Sequence, residues 1–178
     1  MAVETVKSAS VTARDATPAT PQVTGKTAGG YMKTQDDHAL VPASASADSK
    51  FFMVRVPTNA KLKNLIFSSA AMGAGKFDIG LWYSANANGQ DGTPLDLRGD
   101  VIDQDFFASV VDCASAVVPT DIKFEAGNFT YNDCNLPLWE AAGLSADPGG
   151  MFDIIATVKT TDVTTGAARI HLQANYVE

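Results

Sequence analysis

Two stretches near the C-terminal end of the sequence alternate apolar and polar residues with a period of two. Phe152, Ile154, Ala156 and Val158 interleave with Asp153, Ile155, Thr157 and Lys159; Ile170, Leu172, Ala174 and Tyr176 interleave with Arg169, His171, Gln173 and Asn175. That period puts one set of side chains on one face of an extended strand, whereas a helix would scatter them around its circumference. Each stretch predicts a strand with one buried face. The residues between them, 160–167, include Asp162 and Gly166. Strand, polar loop, strand predicts an antiparallel hairpin.

The same reading works upstream. Phe51-Phe52-Met53-Val54-Arg55-Val56 predicts a strand stopped by Pro57, and residues 57–60 carry turn chemistry. Residues 62–69 predict a second strand, broken by Gly73-Ala74-Gly75. Residues 77–83 predict a third, with Phe77, Ile79, Leu81 and Tyr83 on one side, followed by a polar loop at 86–92. Residues 103–112 predict a short helix, with Asp103 as its N-cap and Phe106, Phe107 and Val110 as its apolar face. Residues 117–125 read as extended, interrupted by Pro119. A second short helix is expected at 137–142, with Pro137 at its first position and Gly143 ending it. Asp147-Pro148-Gly149-Gly150 is a turn. Six to eight strands with two short helices in the connections predict a mainly β domain, an antiparallel β-sandwich of jelly-roll type.

Residues 1–30 are unlike the rest. They are rich in Thr, Ala, Ser and Val, contain Pro18 and Pro21, and have no aromatic residue before Tyr31. Such a segment buries too little apolar surface to offset its ordering entropy by itself. It reads as a flexible tail or as an extended arm that orders on a neighbouring subunit, with Ser10-Val11-Thr12 suited to strand addition. The expected division is an arm over 1–30 and a sandwich body over 31–178, with a soft loop at 42–49 and the first body strand near Lys50. Lys7, Arg14 and Lys26 against Glu4 and Asp15 give the arm a charge of +1, which leaves −8 for the body out of the total of −7. Affinity for nucleic acid comes mainly from Lys and Arg, so an acidic body disfavours that partner. The N-terminus shows no apolar signal core, and no window approaches the roughly 18 apolar residues of a membrane span. The expectation is synthesis in a cytosol, with no membrane partner and with Cys113 and Cys134 as free thiols.

No cluster in the sequence commits to chemistry. Gly73-Ala74-Gly75-Lys76 resembles part of a phosphate loop, but Ala70 and Phe77 stand where the motif needs Gly and Ser or Thr. His38 and His171 are far apart in sequence, and no spacing joins either to a cysteine nucleophile. Asp96, Asp100, Asp103 and Asp105 form an acidic cluster without the glycine and distal Glu of a calcium loop. Helix N-terminal carboxylates would account for Asp103 and Asp105. Trp82 and Trp139 are candidates for sugar stacking, or for core and interface packing. The expectation is a protein that is not an enzyme, with no catalytic, cofactor-binding or metal residues.

Several stretches, taken in order, resemble a family. They are Val6-Lys7-Ser8, Arg14-Asp15-Ala16-Thr17-Pro18, Phe52-Met53-Val54-Arg55-Val56-Pro57, Asp78-Ile79-Gly80-Leu81-Trp82, Asp103-Gln104-Asp105-Phe106-Phe107-Ala108-Ser109, Pro137-Leu138-Trp139-Glu140 and Gly143-Leu144-Ser145-Ala146-Asp147-Pro148-Gly149. The set resembles small virion proteins of tailed bacteriophages, typically encoded near the major capsid protein. The resemblance implies a capsid decoration (cement) protein on the head surface, a homo-oligomer, most simply a trimer, with the major capsid protein as partner. A head–tail or tail component, or a carbohydrate- or host-binding virion module, is the alternative.

Overall fold

The computed structural model describes residues 31–43, 45–85, 91–159, 163 and 167–178. The expected arm, most of the loop at 86–92 and most of the loop at 160–167 lie outside the described residues. Among the described residues eight strands form: β1 (Lys33–Val41), β2 (Lys50–Pro57), β3 (Lys61–Ser69), β4 (Lys76–Tyr83), β5 (Val101–Asp112), β6 (Val117–Asp121), β7 (Met151–Val158) and β8 (Ala168–Val177). Between β6 and β7 lie a 3₁₀ turn (Asp133–Asn135) and a one-turn helix, α1 (Leu138–Ala141).

The strands make two antiparallel four-stranded sheets. Sheet A has the order β1-β8-β3-β6 and sheet B the order β2-β7-β4-β5. The strands therefore pair in nested fashion: first with eighth, second with seventh, third with sixth, fourth with fifth. The inner faces enclose one core, whose largest buried side chains include Phe67, Phe77, Phe107, Phe129 and Phe152. The mainly β, sandwich-like body is as the alternation predicts.

Four expectations need correction. The stretches at 152–158 and 169–176 are strands, but they do not form a hairpin with each other. β7 lies between β2 and β4, whereas β8 lies between β1 and β3 in the other sheet. Alternation reveals which face of a strand is buried and nothing about its neighbour. Residues 103–112 are not a helix but part of β5. Opposite Ile79 and Leu81 stand Ala108 and Asp103, so five steps of β5 run against two of β4. The extra residues bulge out, and the bulge breaks the period-two signal and leaves a spacing that imitates a helix. Asp103 is accordingly no helix N-cap.

The first strand of the body also comes earlier than Lys50, because β1 is already complete at Val41. Its sequence, Lys-Thr-Gln-Asp-Asp-His-Ala-Leu-Val, gives little hydrophobic signal because most of the strand is exposed. Finally, the helix at 137–142 amounts to the single turn of α1, with Pro137 as its extended N-cap rather than its first residue. Gly143, at φ 74°, does end it.

Candidate functional site

The outer face of sheet B is not a solvent face. β4 and β7 are buried on both sides. The bulge of β5 crosses directly over β4: a Cβ added to Gly80 would lie 2.1 Å from the Gln104 carbonyl oxygen. Asp78, fully enclosed beneath this cover, accepts from the Val110 amide at 2.9 Å and from the Gln104 side chain at 3.3 Å, and pairs with Lys159 at 2.9 Å. Val110 sits at φ 56°, a left-handed conformation unusual for a β-branched residue. The Asp78 carboxylate secures its amide there.

Farther along the same face, Arg55 meets Asp153 in a two-pronged pair at 2.6 and 3.0 Å, and Asp153 also accepts from the Ala85 amide at 3.0 Å. That side-chain bond, outweighing desolvation, raises the Arg55 pKa above its ordinary value. Trp82, which the sequence offered as a stacking platform, is buried on this face with the Lys50 ammonium 3.7 Å from its ring centroid. Trp139 is half-buried against the core.

The other sequence candidates are dispersed. Gly73 and Ala74 form the turn into β4, and Lys76 begins that strand rather than a helix. Asp103 accepts from the Asp105 amide at 3.2 Å and from Asn128 at 3.1 Å. Burial, followed by the neighbouring Asp105, pushes its carboxyl above the ordinary range. Among the described residues, no group of three or more His, Cys, Asp or Glu is placed to hold a metal ion. Both cysteines are free; Cys113 is buried in the core, and that burial pushes its thiol up. A raised pKa weakens a cysteine as a nucleophile.

Two arrangements were invisible in the sequence. The first is on the outer face of sheet A, where His38 of β1 stands directly opposite His171 of β8. The Ala70 amide donates to the Arg169 carbonyl at 2.9 Å on the β3 side of β8. Backbone direction alternates along a strand, so His171 also faces β3, and His38 with His171 forms a non-hydrogen-bonded pair, the kind with the closest side chains. Asp36 lies 3.8 Å from the His171 ring. No spacing rule could foretell this pairing, since it depends on the register of strands 133 residues apart in sequence.

The second is an open groove of about 250 Å³ where the edges of the two sheets meet, lined by residues 35–37 of β1, residues 52–55 of β2 and Asp153. Its walls combine the Asp36 and Asp37 carboxylates with the Arg55–Asp153 pair and the half-exposed ring of Phe52. β1 forms one bank along its outer edge, which no strand among the described residues pairs with.

Comparison with solved structures adds a likeness of fold. The structure is similar to a chain described as the cyanophage Pam1 capsid asymmetric unit. The TM-score is 0.49 at 10% identity, covering 84% of this chain and 86% of that chain. No family model matches the sequence, and no curated protein matches it.

Proposed function

We propose that this chain is a structural protein of a tailed-phage virion, and specifically a decoration protein that binds the major capsid protein and stabilises the head as a homo-oligomer, most simply a trimer. It acts without catalysis, and its body is of jelly-roll type, a reading that the nested pairing of the described strands supports. The observation that carries the reading is where the family-like stretches fall. Phe52 to Pro57, Asp78 to Trp82 and Asp103 to Ser109 build β2, β4 and the β5 cover, and the stretches from Pro137 to Gly149 build α1 and the turn into β7. Three of the stretches therefore build β2, β4 and β5 of sheet B, elements of a scaffold rather than a cluster of reactive groups, and Phe52 to Arg55 also line the groove beside β1.

The rest of the molecule fits a binding scaffold. The acidic body keeps an unassembled subunit soluble, and an oligomer multiplies weak contacts through effective concentration. The glycan-binding alternative loses its Trp82 platform, which lies beneath Lys50. Image reconstruction of virions tests the proposal. Density for this chain in many copies on the outer shell is the expected result. Density confined to the head–tail junction or the tail overturns the decoration role.

A further inference from the structure

The four sheet edges are unequal. An exposed edge is a template for a further strand, and proteins usually blunt it with bulges, proline, shortness or charge. β6 spans only five residues and contains Pro119. β5 carries the large bulge and the left-handed Val110. β2 has a register shift between Phe52 and Val54 and ends on Pro57. β1 has no bulge, no proline and no shortness, only the charges of Lys33, Asp36 and Asp37: nine residues pair with β8 in unbroken register. Its open side can be located. Leu40 stands opposite Arg169, whose carbonyl is turned toward β3. The backbone groups of Leu40, His38 and Asp36 therefore point away from β8. Consistently, the His38 amide donates to the Asp37 carboxylate at 2.7 Å.

We propose that this edge receives residues 6–14 of a second copy of the chain as an added strand. The segment Val-Lys-Ser-Ala-Ser-Val-Thr-Ala-Arg matches β1 in length, lacks proline, glycine and acid, and carries Lys7 and Arg14. β1 and its groove present Asp36 and Asp37, both exposed. Main-chain hydrogen bonds supply the affinity, and the opposed charges favour this strand over others. The 18 residues from Asp15 to Met32 can span about 60 Å when extended, enough to reach a neighbouring subunit. The inference builds on the oligomer part of the proposed function and is independent of the virion.

Sedimentation of the full-length protein with hydrogen exchange at β1 tests it. The expected results are concentration-dependent association, and slower exchange at Asp36, His38 and Leu40 as the concentration rises. Ser10→Pro with Val11→Pro, which removes two adjacent amide donors outside the body, is expected to weaken association at least tenfold. Asp36→Lys with Asp37→Lys weakens it too, as does Lys7→Glu with Arg14→Glu, and combining the two charge reversals restores it. Three outcomes overturn the inference: a monomer at every concentration, association indifferent to the prolines, or β1 protection independent of concentration, the mark of a chain folding back on its own edge. Wild-type particle binding separates the readings. Attachment with proline-insensitive association refutes only the arm exchange, and arm exchange without attachment refutes only the decoration role.

Discussion

Sheets A and B have the same number of strands and the same antiparallel pairing, yet they treat their outer faces in opposite ways. In β8 the outward residues Arg169, His171, Gln173 and Asn175 reach solvent, and the strand alternates buried and accessible positions. In β7 the corresponding residues Asp153, Ile155 and Thr157 are as buried as those facing the core. The two sequences look alike because each alternates. They differ in what lies above them. A polar group under a cover needs a partner, since burial without one costs more than a normal hydrogen bond returns. Sheet B meets this demand for its carboxylates with Asp78–Lys159 and Asp153–Arg55, while Thr157 Oγ1 and Trp82 Nε1 are buried without a hydrogen-bond partner; sheet A leaves its outer residues on β8 to water.

The lid is the first place to break this contrast. Gly80→Ala puts a methyl group into the backbone of residues 103–104, which must move away for the chain to fold. The expected loss is about 4 kcal/mol or more, in the range reserved for severe lesions, measured as the drop in urea midpoint. Loss of under 1 kcal/mol would mean that the bulge does not rest on β4.

A matched pair of substitutions then compares the faces directly. Arg55→Met removes the cation from an Asp153 carboxylate only 4% exposed, and leaving a buried charge uncompensated is expected to cost about 3 kcal/mol. Arg169→Met, at an exposed position of β8, should stay within about 0.5 kcal/mol. Equal costs would show that the two outer faces are solvated alike.

These differences also mark what the sequence could reveal. Periodicity at Phe77 to Tyr83, Phe152 to Val158 and Ile170 to Tyr176 identified strands and their core faces correctly, because hydrophobic burial acts on each strand separately. It could not say that β7 and β8 belong to different sheets, nor that a second layer covers Asp78. Those facts depend on contacts between distant segments. β5 was misread for a local reason, since its bulge destroys the period on which the reading relies. β1 was overlooked because an exposed edge has no hydrophobic stripe. The groove and the His38–His171 pair both lie on β1, so missing that strand concealed both.

The next test concerns sheet A near its β6 edge. Burial opposes ionisation of Asp121, but the Lys123 ammonium at 2.7 Å, the Leu65 amide and the Asn64 side chain outweigh it and hold the carboxyl below its ordinary range. A carboxyl with a lowered folded-state pKa contributes stability above its unfolded value and loses it as pH falls through the folded one. Asp121→Asn is therefore expected to cost about 1–2 kcal/mol at neutral pH, with the gap to wild type closing in acid. A gap that persists unchanged to pH 2 would show that the charge contributes nothing.

The smallest expected effect has the opposite sign. Asp103, on the lid, is held above the ordinary carboxyl range by burial and by Asp105. A carboxyl with a raised folded-state pKa favours folding most when protonated, and that contribution is lost as pH rises through the raised value. Ionisation of Asp103 as pH rises is thus a mild burden on the lid. Asp103→Asn keeps an oxygen for the Asp105 amide and removes the charge. Its stability should equal or exceed that of wild type by about 0.5 kcal/mol or less at pH 7, with the difference vanishing below the ordinary carboxyl range. The partnered carboxylates of sheet B, Asp78 and Asp153, should gain nothing from the same exchange, because each has a cation beside it. A destabilised Asp103→Asn protein at pH 7 would instead mean that the Asn128 contact outweighs the repulsion from Asp105, and that the lid is held by its charge.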